Sequence, residues 1–188
     1  MIVPLLLLPP SEYYASIYDL DVIQFPDYLP MPDEPGFNRL EFGGHQGKMT
    51  FSIPLLASTR KGPYAQVEIS YATNWHNQLI NALKTAYGKS PFFEYYDYQI
   101  EKILRKKLTH LMALNLELMQ WSLKALKMET RIEMVPHVPF ELQNKDQLNS
   151  VYHQVFASEI GFVKGLSILD LIFNEGIDAT TFLEKIKR

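Results

Sequence analysis

The side chains best able to move a proton near neutral pH are the five histidines, His45, His76, His110, His137 and His153. No two of them stand at H-x-x-x-H spacing, and no carboxylate lies between two of them in helical register. A metal site would have to be gathered from distant segments, so no metal is expected. The chain holds no cysteine, which excludes a thiolate nucleophile, a disulfide framework and cysteine-held metal or iron–sulfur centres. That composition suits the cytoplasm. A serine hydrolase elbow, G-x-S-x-G, and a dinucleotide fingerprint, G-x-G-x-x-G, are both missing from the sequence.

Gly43-Gly44-His45-Gln46-Gly47-Lys48 has the glycines of a phosphate loop but not its order. The leading glycine is replaced by Phe42, and Met49 stands where a hydroxyl should meet magnesium. A strand-like run follows instead of a helix, so a hairpin turn is the better reading. Ser90-Pro91-Phe92-Phe93-Glu94-Tyr95-Tyr96-Asp97-Tyr98 is the densest cluster, with five aromatics and two carboxylates. Such rings can line a pocket or stack on a sugar and still hydrogen-bond, although Phe92, Phe93 and Tyr96 read first as core. Asn38-Arg39 is the other polar pair of interest, because a guanidinium fork suits phosphate or carboxylate.

These groups need a scaffold, and 188 residues suffice for one domain, 1–188, with a core of its own. Hydrophobic residues form 47% and charged ones 21%, the ordinary globular mix, so no staple is required. The formal charge is −3 and no basic stripe interleaves with aromatics, which argues against nucleic acid as a partner. The apolar start, Met1 to Leu8, lacks a basic leader and a small-residue cleavage site, so it is not expected to be a signal peptide. Nowhere is there a run of about 20 apolar residues, so no membrane-spanning helix is expected.

Val3 to Leu8 reads as a buried strand ended by Pro9-Pro10, Tyr13 to Tyr18 as a short helix, and Asp21 to Phe25 as a second strand. Four prolines between Pro26 and Gly36 make a loop that could act as a lid or rim. A hairpin follows through Phe42 and Met49, then an alternating strand at Val67 to Tyr71. An antiparallel meander is the simplest arrangement of these strands. Trp75, Leu79, Leu83 and Tyr87 recur on one helical face, introduced by Asn74 as N-cap and closed by a left-handed Gly88. Ser90-Pro91 opens a long, largely buried helical region running to Leu126. Thr130 to Val135 is a last strand, and Leu166 to Phe173 a short helix stopped at Gly176. The fold class expected is therefore α+β, with the strands in the N-terminal half packed on helices.

Three stretches together resemble the WbqC-like family of bacterial proteins. They are Phe37-Asn38-Arg39 with the Gly47 hairpin and Phe51-Ser52-Ile53-Pro54; Trp75 to Tyr87 leading into Ser90-Pro91-Phe92-Phe93; and Tyr152-x-Gln154-Val155-Phe156 with Gly161-Phe162-Val163 and Leu166 to Gly176. The resemblance runs from Tyr13-Tyr14 to the C-terminus. It implies a role in O-antigen-type surface-polysaccharide biosynthesis, as acyl or aminoacyl transfer to a nucleotide-linked amino sugar. The family pattern has a His-Gln pair near the N-terminus and a histidine in the tryptophan helix; this chain has Leu-Pro residues and Leu79 there. Two readings follow, an enzyme, active or degenerate, and a non-catalytic scaffold that keeps the fold.

For the enzyme, His76 or Asp97 would handle a proton, Asn38 and Arg39 would hold an anionic group, and Trp75 and Tyr95 would form an aromatic wall. Adjacent helical residues point about 100° apart, so these cannot all face one pocket. No cofactor is expected, and the partner would be a nucleotide-sugar or another anionic small molecule. Asp170 is expected to be structural, its carboxylate accepting from the Ser167 amide at the start of the last helix.

Overall fold

The computed structural model describes residues 1–26, 30–136 and 151–186 of the 188. It is an α+β fold in which α-helices predominate and, among the described residues, the strands form two separate pairs. β1 (Val22–Pro26) lies parallel to β4 (Arg131–Val135), and the buried Ile23 and Phe25 match Ile132 and Met134 in register. β2 (Arg39–Gly44) and β3 (Gly47–Ser52) form the expected hairpin, closed through Gly44 opposite Gly47, whose φ is +108°. Leu40 and Phe42 point to the core from β2.

Antiparallel pairing stops at that hairpin and does not continue into a meander. Val67 and Ile69 are buried at period two, but Val67 follows a 3-10 turn and the segment makes only isolated bridges, Leu55 with Ile69 and Glu68 with His110. Pro54 has no N–H to extend a ladder there, although its carbonyl accepts from Ser70 at 2.8 Å. The first segment also differs from a strand. Val3, Leu5, Leu7 and Leu8 are buried, but the N-terminus bridges β1 only at Ile2, and Leu8 turns out of extended geometry with φ +45°. The proline-rich loop is pinned where it is described, by a bridge of Pro30 to Pro63 and by Leu7 N–H donating to Gly36 O at 2.7 Å.

The helices are α1 (Ser11–Ile17), α2 (Trp75–Tyr87), α3 (Phe93–Leu104), α4 (Leu111–Ala125), α5 (Ala157–Ile160), α6 (Ile168–Glu175) and α7 (Ala179–Ile186). The long helical region is split between α3 and α4, where Lys107 takes φ +52°. No glycine or proline marks that break. It lets Leu111 N–H donate to Val67 O and Thr109 O accept from Ile69, tying the connection to the strand-like segment. At the end of α2, Gly88 stays right-handed, φ −59°; it is glycine because a Cβ would stand 2.7 Å from Lys84 O. Asn74 makes no side-chain cap, and α3 begins at Phe93, after rather than at Pro91.

The buried side chains form one cluster from Val3 to Ile186, and α6 runs through its middle. Ile168, Leu169, Leu171, Ile172 and Phe173 are all fully buried, and the Phe173 ring meets Tyr87 and Phe93, each at 5.1 Å. Several buried polar atoms inside this core are paired across elements: Tyr14 shares a 2.6 Å hydrogen bond with Ser122, and Asn115 Nδ2 donates to Phe37 O and the Tyr64 hydroxyl. Ser167 caps α6 by accepting from Leu169 N–H at 3.2 Å. Ser167→Ala is expected to lower stability by about 1 kcal/mol, measured by urea unfolding, because one first-turn N–H loses its buried acceptor.

Candidate functional site

Two polar centres stand out in the interior. The first surrounds Asp170, 2% exposed, on the first turn of α6. Its Oδ2 accepts from the Tyr152 hydroxyl at 2.7 Å and from Gln154 Nε2 at 2.9 Å. The Tyr87 hydroxyl, at the end of α2, accepts from Gly43 N–H at 2.9 Å and hydrogen-bonds to the same carboxylate. Burial raises the Asp170 pKa above the usual carboxylate range, and the hydrogen bonds from Tyr152, Tyr87 and Gln154 hold it back. Burial and the adjacent carboxylate push both tyrosines well above 10.

Asp170 therefore does not cap its own helix. The Ser167 amide donates instead to Glu41 O at 2.7 Å, and the carboxylate turns outward to clasp the segment at 152–163. Gln154 completes that clasp by pairing both ways with the Val163 backbone, at 2.9 Å each. Gly43 is needed at the clasp: a Cβ there would stand 3.2 Å from Leu166 Cδ1 and 3.3 Å from Asp170 Oδ1. Every acceptor and donor of this centre is engaged, so it reads as a fastening and not as a site poised for a ligand.

The second centre lies where α2 begins. Trp75 and His76 are 2% and 6% exposed, with ring centroids 5.9 Å apart. The Tyr71 ring meets both, at 5.6 Å from Trp75 and 6.1 Å from His76, and its hydroxyl donates to Leu108 O at 2.9 Å. Tyr71 thus joins the start of α2 to the break between α3 and α4. Trp75 Nε1 and His76 Nδ1 are buried and find no hydrogen-bond partner among the described residues. Burial lowers the His76 pKa below 6.5, and the positive charges of Lys107 and Arg105 lower it further. His76 is held neutral at pH 7, the form that can accept a proton.

The other expected site residues lie elsewhere. Asn38 Nδ2 donates to Ile53 O at 2.9 Å, across the base of the hairpin. Arg39 is exposed and makes no hydrogen bond or ion pair with its guanidinium among the described residues. Tyr95 is 71% exposed on α3, with its ring against Tyr96. Asp97 accepts from the Tyr98 amide and lines a depression with Lys84, Phe93, Ile100 and Phe173. Among the described residues no hydrogen bond, ion pair or ring contact joins Asn38, Arg39, Tyr95 or Asp97 to the Trp75 and His76 pair. His137 lies outside the described residues, and among these no group of three histidine or acidic side chains could hold a metal.

A model of the WbqC-like protein family matches residues 6–160, most of the chain. The chain belongs to the WbqC-like protein family. The matched span of this WbqC-like chain carries Tyr71, Trp75, His76 and Lys107 together with Tyr87, Tyr152 and Gln154, and it ends on the last residue of α5, before Asp170. No curated protein and no solved structure matches the chain significantly. Sequence reasoning passed over Tyr71, Arg105 and Lys107, for which no spacing signal exists. Tyr87, the Tyr152-x-Gln154 pair and Asp170 were each visible as pattern residues, but their joining at one carboxylate was not, because they lie on separate segments. No helix among the described residues is long and apolar enough to cross a membrane.

Proposed function

We propose that this WbqC-like protein is a cytoplasmic, single-domain enzyme of bacterial surface-polysaccharide assembly that transfers an acyl or aminoacyl group to the amine of a nucleotide-linked amino sugar. The observation that carries this reading is the neutral, buried His76 with an unpartnered Nδ1 beside the unpartnered Trp75 Nε1. A buried nitrogen without a partner costs about 1–3 kcal/mol, so each calls for a physical reason, of which a catalytic or ligand-binding role is one. In the step proposed, the sugar amine attacks the acyl carbonyl, the C–N bond forms and the bond to the donor's sulfur or oxygen breaks. His76 takes the proton from the amine nitrogen and returns it to the leaving group. Asn38, Arg39, Tyr95 and Asp97 are not needed for that step.

The test is a transfer assay with nucleotide-linked amino sugars and thioester or aminoacyl donors, read by mass spectrometry of the acylated product. His76→Gln is expected to lower the rate at least 100-fold, the lower range for a general base. The parent rate is expected to rise with pH through a value below 6.5 and then level off, because the lowered pKa leaves His76 neutral earlier than an exposed histidine. Equal turnover by the parent and His76→Gln would remove His76 from the mechanism.

A further inference from the structure

We infer that the start of α2 and the break between α3 and α4 form a binding site for a phosphoryl oxyanion, with Trp75 Nε1 as a donor and Lys107 as its cation. The inference rests on the reading that His76 and Trp75 line the substrate site, and it names the group recognised there.

The donors come first. An indole N–H can only donate, and Trp75 Nε1–H is buried without an acceptor among the described residues. It sits on the first residue of α2, a helix of 13 residues whose preceding Asn74 supplies no side-chain cap to the backbone. Asn74 Oδ1 is instead engaged by Asn77 Nδ2 at 2.9 Å. The positive end of the helix dipole therefore adds to the indole donor, and Trp75 itself is buried at that end.

The cations are distributed unequally. Three consecutive basic residues, Arg105, Lys106 and Lys107, leave α3 toward α4. Arg105 is held by Glu101 at 2.8 Å and Lys106 by Glu117 at 2.6 Å. Lys107 is exposed and makes no ion pair among the described residues. Its charge is felt at His76, and the Tyr71 ring bridges the two elements by packing on Trp75 and His76 while its hydroxyl holds Leu108, the next residue after Lys107. Lys107 adopts φ +52° at the break between α3 and α4.

A donor-only indole, a helix start and an uncommitted ammonium together favour a ligand with several acceptor oxygens and negative charge. A diphosphate offers more oxygens than a carboxylate and suits the point charge of a lysine. A neutral sugar would leave Lys107 without a counter-charge.

The two indole N–H groups allow a direct test on the full-length protein. In a 15N-labelled sample titrated with pyrophosphate at constant ionic strength, the Trp75 indole resonance is expected to shift and saturate. Trp121 Nε1 already donates to Gln99 Oε1 at 3.1 Å, so its resonance is expected to stay in place and serves as the internal control. Trp121→Phe assigns the two peaks. Lys107→Gln is expected to weaken the titration at least fivefold, and Lys107→Arg to restore most of it; Lys107 is exposed, so both variants fold. The inference is overturned if Trp75 does not respond, if acetate shifts it and pyrophosphate does not, if both indoles move alike, or if Lys107→Gln titrates like the parent. No transfer step enters this experiment, so its outcome is independent of whether the acyl-transfer assay succeeds.

Discussion

Replacing Gly176 by alanine is expected to lower stability by roughly 2–6 kcal/mol, the sum of a backbone and a packing cost. Gly176 ends α6 with φ +54° and ψ −118°, a conformation outside the left-handed helical basin that a Cβ disfavours by about 1–3 kcal/mol. A Cβ there would also stand 2.5 Å from Cγ and Cδ1 of Phe92. The Phe92 backbone is tied to Phe173 O at 3.0 Å, and the contact atoms include the ring's own root, so relief requires the half-buried ring to turn as a whole. Overpacking of this kind costs about 1–3 kcal/mol more. A melting temperature lowered by on the order of 10 °C should follow for a chain of this size. Thermal unfolding of Gly176→Ala alone and in a Phe92→Ala background separates the two causes. The alanine should cost less where the ring is gone, and equal costs would assign the whole effect to the backbone.

The second large effect is expected at Asp170. Asp170→Ala leaves the Tyr152 and Tyr87 hydroxyls without their buried acceptor and Gln154 Nε2 with Val163 O but not the carboxylate, at about 1–3 kcal/mol for each group that cannot find another. Relief of the buried charge offsets part of this, so a net loss of about 2–4 kcal/mol is expected by chemical denaturation. Amide exchange gives a local readout. The Val163 N–H, held by Gln154 Oε1 at 2.9 Å, should exchange faster in the variant than N–H groups of α4 do.

The same carboxylate makes a pH prediction with a definite sign. Its pKa is raised in the folded protein, so between the unfolded value near 3.8 and the raised value the folded state binds more protons than the unfolded one. In that window Asp170 makes stability fall as pH rises, and above it the contribution is flat. Asp170→Asn should remove this slope, which stability curves taken from pH 3.5 upward would reveal. A slope unchanged by the substitution would show that the carboxylate titrates normally.

Local structure was legible wherever periodicity and punctuation agreed. Trp75, Leu79, Leu83 and Tyr87 mark one helical face along the whole of α2, and the glycines around His45-Gln46 demand a tight hairpin; both elements form where that pattern places them. The apolar run from Leu166 to Phe173 marked a buried helix, and Gly176 marked its end. Composition alone accounts for a chain that needs no disulfide, and the ordered stretches at Trp75 and Tyr152 carried the family resemblance.

Strand partners were not legible, because pairing depends on which segments meet and not on the segment itself. Val22–Pro26 alternates as a strand should, yet its partner is Arg131–Val135, separated from it in the chain by β2, β3, α2, α3 and α4. The break at Lys107 carries no glycine or proline, and it exists because Leu111 and Thr109 complete backbone bonds with Val67 and Ile69. The same tertiary event decided the candidate site. Trp75 and His76 are neighbours in sequence, but only the fold lays the Tyr71 ring on both and buries their ring nitrogens with no partner among the described residues. Asp170 shows the other side of that dependence. Its position after Ser167 suits a cap, but the buried tyrosines and Gln154 offered stronger donors than an amide already bound to Glu41, so packing turned a local signal into a long-range clasp.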